Sequence, residues 1–176
     1  IARHNAMVSV NTIMAIDLTG QVAADALPFN NYTGITGLLD FTRGAAMSEN
    51  GKSILMLTAT SDHGTKSRIV PRLSDMTVVV PRGDVHYVAT EYGVVNLFGK
   101  TLQERATALI SIAHPDFRDE LFAMAQEMEL INKHRRFKEA IKGVYPLKYE
   151  EKRHIKDMDV MFRPARPHDD RAIQEH

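Results

Sequence analysis

The sequence predicts an α/β domain in which a mostly buried mixed or parallel sheet is flanked by helices. The first part of the 176-residue chain contains short, continuous apolar runs of strand length, such as residues 53–59. Continuous runs indicate strands that are buried on both faces. From residue 101 onward the apolar residues instead recur with the spacing of a helix. Strands followed by helices indicate helices that pack on a sheet.

The first half of the chain contains the predicted strands and one helix. Residues 7–10 and 14–18 are two strand-like pieces around a bend. Residues 30–37 are rich in Asn, Thr and Gly and predict a loop, after which residues 38–47 predict a short helix. Three later apolar runs predict further strands: 53–59, 77–80 and 86–90.

The second half predicts two amphipathic helices. Residues 101–112 form the first, and Thr101 with Glu104 is the pattern of a capping box at its start. Residues 116–132 form the second, with apolar residues in register along one side. His114 and Pro115 separate the two helices, because a proline cannot continue a helix.

The domain organisation that we expect has three parts. Residues 1–143 form the main domain, and residues 144–159 are a charged linker without a sustained apolar face. Residues 160–176 then predict a new strand and the start of a helix, as in the truncated beginning of a further domain. The chain begins with Ile1 rather than Met, so we expect its natural N-terminus to be missing.

The composition excludes several classes of function. With 44% hydrophobic and 25% charged residues the chain is typical of a globular domain, and its net charge of zero gives no reason to expect nucleic acid as a partner. No apolar run approaches the roughly 20 residues that span a membrane. The absence of cysteine excludes disulfides, thiolate catalysis and cysteine metal sites. We expect a cytoplasmic protein without a metal.

Several residues could carry chemistry or could be purely structural. Gly34 and Gly37 could serve a tight turn or a phosphate loop. His86, beside strand residues, could be a core histidine or a general base. Residues 90–93 are a polar break after an apolar strand, and α/β proteins place ligands at such strand ends.

Together these stretches resemble the C-terminal domain of the acetyl-CoA hydrolase/CoA-transferase family, over roughly residues 8–128. The specific motifs are residues 82–87, 90–93 and 112–118. Members include acetyl-CoA hydrolases, 4-hydroxybutyrate CoA-transferases and succinyl-CoA:acetate CoA-transferases. The resemblance implies a CoA-transferase-like fold, coenzyme A or acyl-CoA as substrate and no metal. It also implies a missing N-terminal domain that helps to enclose the substrates, and a homo-oligomer.

The resemblance also implies a covalent mechanism. In the family a glutamate attacks an acyl-CoA thioester to form a mixed anhydride, and the CoA thiolate then attacks the glutamyl carbonyl to give an enzyme–CoA thioester. A second carboxylic acid reverses these steps. The likeness assigns Gly93 to the oxyanion contact and assigns Gly34, Thr36 and Gly37 to the glycine-rich loop near acyl-CoA. That loop usually has two adjacent glycines followed by a glutamine, where this chain has Thr36, Gly37 and Leu38.

A larger departure concerns the nucleophile. The family's glutamate lies in a pattern like Asn-Ser-x-x-Glu-x-Asp-Leu-x-Gly-Gln-Val, and over residues 11–22 its position is Ala15. A methyl group cannot form an anhydride, so this protein does not perform the usual transfer, or the residue was changed, or another carboxylate serves. Glu91, beside Gly93, is the possible substitute, although family members carry it in addition to the glutamate.

The tail carries a second resemblance. Residues 161–172 resemble the opening strand and helix of a Gcn5-related N-acetyltransferase domain. Two main hypotheses follow. The chain is an acyl-CoA-binding fragment of a CoA-transferase or acetyl-CoA hydrolase that is inactive alone, or it is a non-catalytic acyl-CoA-binding module that regulates an attached acetyltransferase. A purely structural domain is the third.

Overall fold

The computed structural model describes residues 1–27, 30–31, 36–137, 151–155 and 158–162. Three α-helices and thirteen strands lie in these ranges. The helices are α1 (Leu38–Met47), α2 (Leu102–Ser111) and α3 (Pro115–Glu127). The strands are β1 (Val8–Thr12), β2 (Ala15–Asp17), β3 (Val22–Ala23), β4 (Ala26–Leu27), β5 (Asn30–Asn31), β6 (Lys52–Met56), β7 (Thr60–Ser61), β8 (Lys66–Ser67), β9 (Ile69–Val70), β10 (Tyr87–Thr90), β11 (Gly93–Asn96), β12 (Glu151–Ile155) and β13 (Met158–Phe162).

A four-stranded mixed sheet in the order β1-β6-β10-β11 positions the site. The first three strands are parallel, and β11 returns antiparallel to β10. α1 packs against β1 and β6 and runs back toward their amino ends, where the backbone N–H of Met7 donates to Ser48 Oγ at 3.1 Å. The N-terminus of α1 therefore lies at the carboxyl edge of the sheet. β11 was not predicted from the sequence.

A second sheet of three short strands, in the order β3-β2-β9, is buried. Ile16, opposite Ile69, and Val22 are fully buried. The strand predicted over residues 77–80 is wrong. Val79 and Val80 both donate their backbone N–H groups to the carbonyl of Val22, and the result is an isolated bridge beside β3. The segment has one residue to pair with and therefore forms no ladder.

The helices follow the sequence pattern closely. The capping box of α2 is confirmed, since Thr101 accepts from the backbone N–H of Glu104 and the Glu104 carboxylate accepts from that of Thr101. α3 ends at Glu127 rather than at residue 132. Glu129 has a φ of 59°, and the backbone N–H of Ile131 donates to Ala125. Ile131 is still buried, so the apolar pattern continues beyond the last helical turn.

The core joins these elements. It contains buried side chains from both sheets, from α1 and from the helical pair α2–α3: Ile13, Ile16, Leu18, Leu38, Leu55, Ile69, Val88, Leu97, Leu109, Ile110, Leu121 and Phe122 among others. The predicted fold class, an α/β domain with a mixed sheet and flanking helices, is confirmed. The expectation that strands are buried on both faces holds for the three-stranded sheet. For the apolar run at residues 53–59 the expectation is wrong, because burial alternates along β6, as it does along β1.

The tail and the loop before α1 are described only in part. β12 and β13 pair as an antiparallel hairpin, so residues 151–155 of the expected linker form a strand. Residues 138–150 and 163–176 lie outside the described residues. The predicted boundaries at 143 and 159, and the expected loose packing of residues 145–176, therefore stay predictions. In the predicted loop over residues 30–37, Asn30–Asn31 is a short strand and Gly34 lies outside the described residues.

Candidate functional site

The candidate site lies at the carboxyl edge of the four-stranded sheet. There the backbone N–H of Ile13, two residues before Ala15, donates to the carbonyl of Met56 at the end of β6. Two residues span at most about 7 Å, so Ala15 lies close to this edge. Gly37 at the start of α1 and Gly93 after β10 lie at the same edge. That Gly37 and Gly93 line one cleft stays a prediction.

Gly93 occupies a position that suits glycine alone. Its φ is 145°, a conformation that side chains with a Cβ rarely adopt, and an added Cβ would lie 3.3 Å from Ile112 Cγ2. Gly93 pairs with Thr90, whose hydroxyl donates to the carbonyl of Ile112 at 2.6 Å and accepts from the backbone N–H of Tyr92 at 3.1 Å. The turn after β10 is therefore fixed to the end of α2.

Glu91 bridges two strand ends. Both of its carboxylate oxygens accept from the backbone N–H of Ala59, at 3.1 and 2.9 Å, and Ala59 follows β6. A charge-assisted bond of this kind is stronger than a neutral one. The geometry makes Glu91 a brace between the turn after β10 and the segment after β6. Its role as a substitute nucleophile stays a prediction.

A buried arginine supports the same turn from α3. Arg118 is 7% exposed, its Nε donates to the carbonyl of Ala113 at 2.8 Å, and its guanidinium carbon lies 5.7 Å from the centre of the Tyr92 ring. Burial lowers the pKa of Arg118, while Tyr92 acts in the opposite direction. His114 caps α3 and meets the Tyr92 ring edge-on at 5.3 Å. The 112–118 motif therefore holds Tyr92 in place.

Ala15 is buried in β2, opposite Ala23. Alternate residues of a strand share a face, so the Ala15 methyl group points to the same side as the side chain of Asp17. The Asp17 carboxylate is fully buried and accepts four hydrogen bonds, from the backbone and side chains of Thr19 and Gln21. Asp17 therefore organises the turn after β2. Ala15, two residues before it, has no carboxylate.

A second buried arginine fastens that turn to the rest of the site. Arg105 on α2 donates from Nη1 to the carbonyls of Arg82, at 2.7 Å, and Thr19, at 3.5 Å, and from Nε to that of Lys100, at 3.2 Å. Burial, and to a smaller extent the charge of Arg82, lowers the pKa of Arg105. Gly20, with a φ of 95°, lies against this guanidinium: an added Cβ would be 2.7 Å from Nη1.

These roles of Arg105 and Arg118 were not predicted from the sequence. The role of Arg105 could have been predicted from its position, because it is a charged residue next to Ala106 on the apolar face of a helix. Arg118 lay inside a recognised motif, but its contact with Tyr92 joins distant parts of the chain. The role of Arg118 therefore does not follow from local spacing.

Of the residues expected to form the acyl-CoA loop, Thr36 and Gly37 lie among the described residues. Thr36 and Gly37 are exposed, and Gly37 begins α1 with a φ of −70°, which other residues adopt equally well. The start of α1 has no side-chain cap. His86, the other candidate, lies with its ring centre 4.4 Å from that of Phe98, and burial lowers the pKa of its imidazole.

Two further classes of feature are absent from the described residues. They contain no group of three or more His, Cys, Asp or Glu side chains arranged to hold a metal ion. Within the same ranges no helix has the length and apolar character needed to cross a membrane.

Comparison with known proteins identifies relatives of this chain. The family described as acetyl-CoA hydrolase/transferase C-terminal domain matches residues 1–125. The 4-hydroxybutyrate coenzyme A transferase of Clostridium kluyveri is 45% identical over 122 residues, which are 69% of this chain and 28% of the relative. The succinyl-CoA:cyclohexane-1-carboxylate CoA transferase of Geobacter metallireducens is 42% identical over 132 residues, 74% of this chain and 30% of the relative.

The chain is also similar to proteins of known structure. RipA from Yersinia pestis is 48% identical, with a TM-score of 0.66 over 70% of this chain and 28% of that protein. A 4-hydroxybutyrate CoA-transferase from Porphyromonas gingivalis is 41% identical, with a TM-score of 0.59 over 72% of this chain and 28% of that protein. The chain thus spans less than a third of the length of these relatives.

Proposed function

Because the chain belongs to the acetyl-CoA hydrolase/transferase C-terminal domain family, we propose that it is the acyl-CoA-binding part of a CoA-transferase-like protein. The observation that carries this proposal is the gathering of three family motifs at one sheet edge. The position of Ala15, the Glu91–Gly93 turn and the start of α1 all lie there. In this proposal the substrate is an acyl-CoA thioester and the acceptor is a carboxylic acid.

The residues at the edge have distinct roles in this proposal. The backbone N–H of Gly93 donates to the thioester oxygen as negative charge develops on it. Glu91 and Arg118 are positioning residues, because the first ties the turn to Ala59 and the second supports Tyr92. The start of α1, with Thr36 and Gly37, faces the acyl-CoA.

Ala15 determines what the protein does with the bound thioester. In the covalent route a carboxylate attacks the thioester carbonyl and expels the CoA thiolate, which then attacks the resulting anhydride and releases the first acid. Ala15 has no carboxylate. We therefore propose that the chain binds acyl-CoA without transferring CoA through position 15.

The same residue favours a second candidate function. A domain that binds acyl-CoA but lacks the nucleophile can act as a sensor, and the resemblance of residues 161–172 to an acetyltransferase supplies what it would regulate. Binding of acyl-CoA without turnover supports this regulatory module. Turnover by the unaltered sequence supports the enzyme.

A chimaera tests the proposal. Residues 1–125 of this chain replace the matching segment of the Clostridium kluyveri relative, with Ala15, Ala15→Glu or Ala15→Gln. We expect all three to bind acetyl-CoA in calorimetry. We expect Ala15→Glu to transfer CoA to short carboxylates on the order of 10⁴-fold faster than the other two, as typical losses of a nucleophile suggest.

The glutamine variant is the matched control, because it has the size of glutamate without its nucleophilic carboxylate. Mass spectrometry should find a covalent CoA adduct only with Ala15→Glu. An adduct on the chimaera that retains Ala15 would sink the proposed role of position 15, and Glu91→Gln would then be the next variant to assay. Failure of all three chimaeras to bind acetyl-CoA would leave only a structural role.

A further inference from the structure

A basic cleft lies at the end of α2 that is opposite the candidate site. It has a volume of about 390 Å³ and is lined by Gln103, Asn132, His134 and Arg135. Gln103 lies in the first turn of α2, whereas the other end of this helix is fixed to the turn after β10. The 10 residues of α2 span about 15 Å. The cleft is therefore separate from the sheet edge that carries the proposed acyl-CoA site.

The loop over residues 132–135, which forms one wall of the cleft, is fastened to α3. The side-chain amide of Gln126 donates to the carbonyls of Asn132, Lys133 and Arg135, at 3.1, 3.2 and 3.0 Å. Within the loop, the backbone N–H of Arg135 donates to the carbonyl of Asn132 at 3.0 Å. The side chains of this loop are therefore held on a preorganised backbone, which lowers the entropic cost of binding a ligand.

The side chains that line the cleft offer hydrogen-bond donors. The amide oxygen of Asn132 already accepts from the backbone N–H of His134 at 2.9 Å, so its Nδ2 group is left as a donor. Arg135 offers a guanidinium fork, and Gln103 offers a second amide. Among the described residues no carboxylate lines the cleft. This set of groups favours an anion as the ligand.

The charge around the cleft is positive, although the whole chain has a net charge of zero. Residues 132–136 include Lys133, His134, Arg135 and Arg136 and no acidic residue, and all of their side chains are exposed. Within the part of the chain that the structure describes, no carboxylate forms an ion pair with any of these four. Positive charge that the protein itself does not neutralise attracts an anionic ligand.

The donors and the size of the cleft indicate a phosphate group rather than a carboxylate. A carboxylate presents two oxygens, whereas a phosphate monoester presents three acceptor oxygens and close to two negative charges. The cleft has donors on two elements, Gln103 on α2 and Arg135 on the loop. Its volume lies at the lower end of the range for small-molecule sites, about 300–1,000 Å³, which leaves room for an organic group beside the phosphate.

We propose that this cleft binds a phosphate group, either free or on a small organic molecule. Arg135 is its main contact, and Gln103, Asn132 and His134 supply further donors. The inference goes beyond the proposed function and does not depend on it, because neither acyl-CoA binding nor position 15 enters the argument.

Calorimetry on the 176-residue chain at low ionic strength tests the proposal, with adenosine 5′-monophosphate and inorganic phosphate as probes. We expect the nucleotide to bind and adenosine, which has no phosphate, not to bind. Arg135→Gln should weaken binding of the nucleotide on the order of 10-fold or more, because it removes a charge-assisted hydrogen bond. No binding of either probe overturns the proposal.

Two control variants separate the cleft from the general charge of the surface. Lys133→Gln removes a charge from the same loop without changing a residue that lines the cleft, and should weaken binding by about 2-fold at most. Arg72→Gln removes an exposed charge elsewhere and should have no effect. Equal losses with Lys133→Gln and Arg135→Gln would contradict a site at the cleft.

Gln126→Ala tests whether the loop is preorganised for binding. This variant removes no charge but releases the three carbonyls of the loop from α3. We expect binding of the nucleotide to weaken by about 3-fold or more, while thermal unfolding confirms that the variant is folded. An unchanged affinity would mean that the basic surface acts through its charge alone, and the proposal would be wrong.

Comparison of the probes identifies the source of the phosphate group. Tighter binding of the nucleotide supports a phosphorylated organic molecule, and equal affinities support free phosphate. Succinate that binds as tightly as either probe overturns the choice of phosphate over carboxylate. Failure of this proposal is distinguishable from failure of the proposed function, because the chimaera contains residues 1–125 of this chain and lacks the loop over residues 132–135.

Discussion

The three-stranded sheet and the four-stranded sheet have different surroundings. In the three-stranded sheet every residue of β2 and β3 is buried, and Ile16 and Val22 are fully so. In the four-stranded sheet Ser53 and Leu55, on one face of β6, are buried. Met56, on the other face of β6, is 42% exposed. Both sheets come from apolar runs. The difference teaches that such a run identifies a strand, whereas the elements packed around it determine how many of its faces are covered.

The largest expected effect on stability comes from comparing a buried residue of the three-stranded sheet with an exposed residue of the four-stranded sheet. Ile16→Ala should lower the free energy of unfolding by about 2–5 kcal/mol, because it leaves a cavity in a fully buried position. Val10→Ala should change it by less than about 0.5 kcal/mol, because Val10 is half exposed. Urea unfolding of the 176-residue chain measures both. Similar losses for the two variants would erase the distinction between the sheets.

A smaller effect compares two glycines with positive φ. Gly20 follows β2 and lies against Arg105, whereas Gly99 follows β11 and has open space around it. Gly99→Ala should cost about 1 kcal/mol from backbone strain alone. Gly20→Ala should cost about 2–4 kcal/mol, since it also displaces a buried guanidinium from its carbonyl partners. Equal costs in urea unfolding would mean that Arg105 adapts without losing these bonds.

The smallest effect concerns the pH dependence of stability at His86, which precedes β10. Burial lowers the pKa of His86 below 6.5, with Arg105 acting in the same direction and Asp84 against it. The unfolded chain therefore binds the proton more readily than the folded chain. This contribution to stability is fully present above about pH 6.5 and is lost as the pH falls toward the folded pKa.

Urea unfolding of the parent chain and of His86→Gln, from about pH 5 to 7.5, checks this sign. The difference in stability between the two proteins should shift in favour of the parent as the pH rises to about 6.5. A difference that is constant over this range would show that the His86 imidazole is as solvated in the folded chain as in the unfolded one.

The sequence predicted the elements whose signals are local. α1 has the predicted bounds, and the capping box at Thr101 forms as expected. β11 was missed because the turn at Glu91 and Tyr92 lacks the Asn-Gly or Asp-Gly pair that marks a two-residue hairpin. α3 was predicted too long because apolar residues continue to Ile131 after the helix ends.

The use of Gly37 and Gly93 in one site stays a prediction, and the contacts that hold this edge of the sheet together were not predicted from the sequence. Glu91 was considered as a nucleophile, and its contact with Ala59 depends on the pairing of β6 with β10. The contacts of Arg105 and Arg118 likewise join residues that are distant in the chain. Such contacts depend on tertiary structure, and no local spacing encodes them.

The carbonyl partners of Arg105 also have a kinetic consequence. Thr19, Arg82 and Lys100 come from three separate turns, so the guanidinium can bind them together only after the chain between them has been arranged. Interactions that form after the folding transition state act mainly on the unfolding rate. We therefore expect the loss of Arg105 to raise the unfolding rate, and so to shorten the lifetime of the folded chain, while leaving the folding rate almost unchanged.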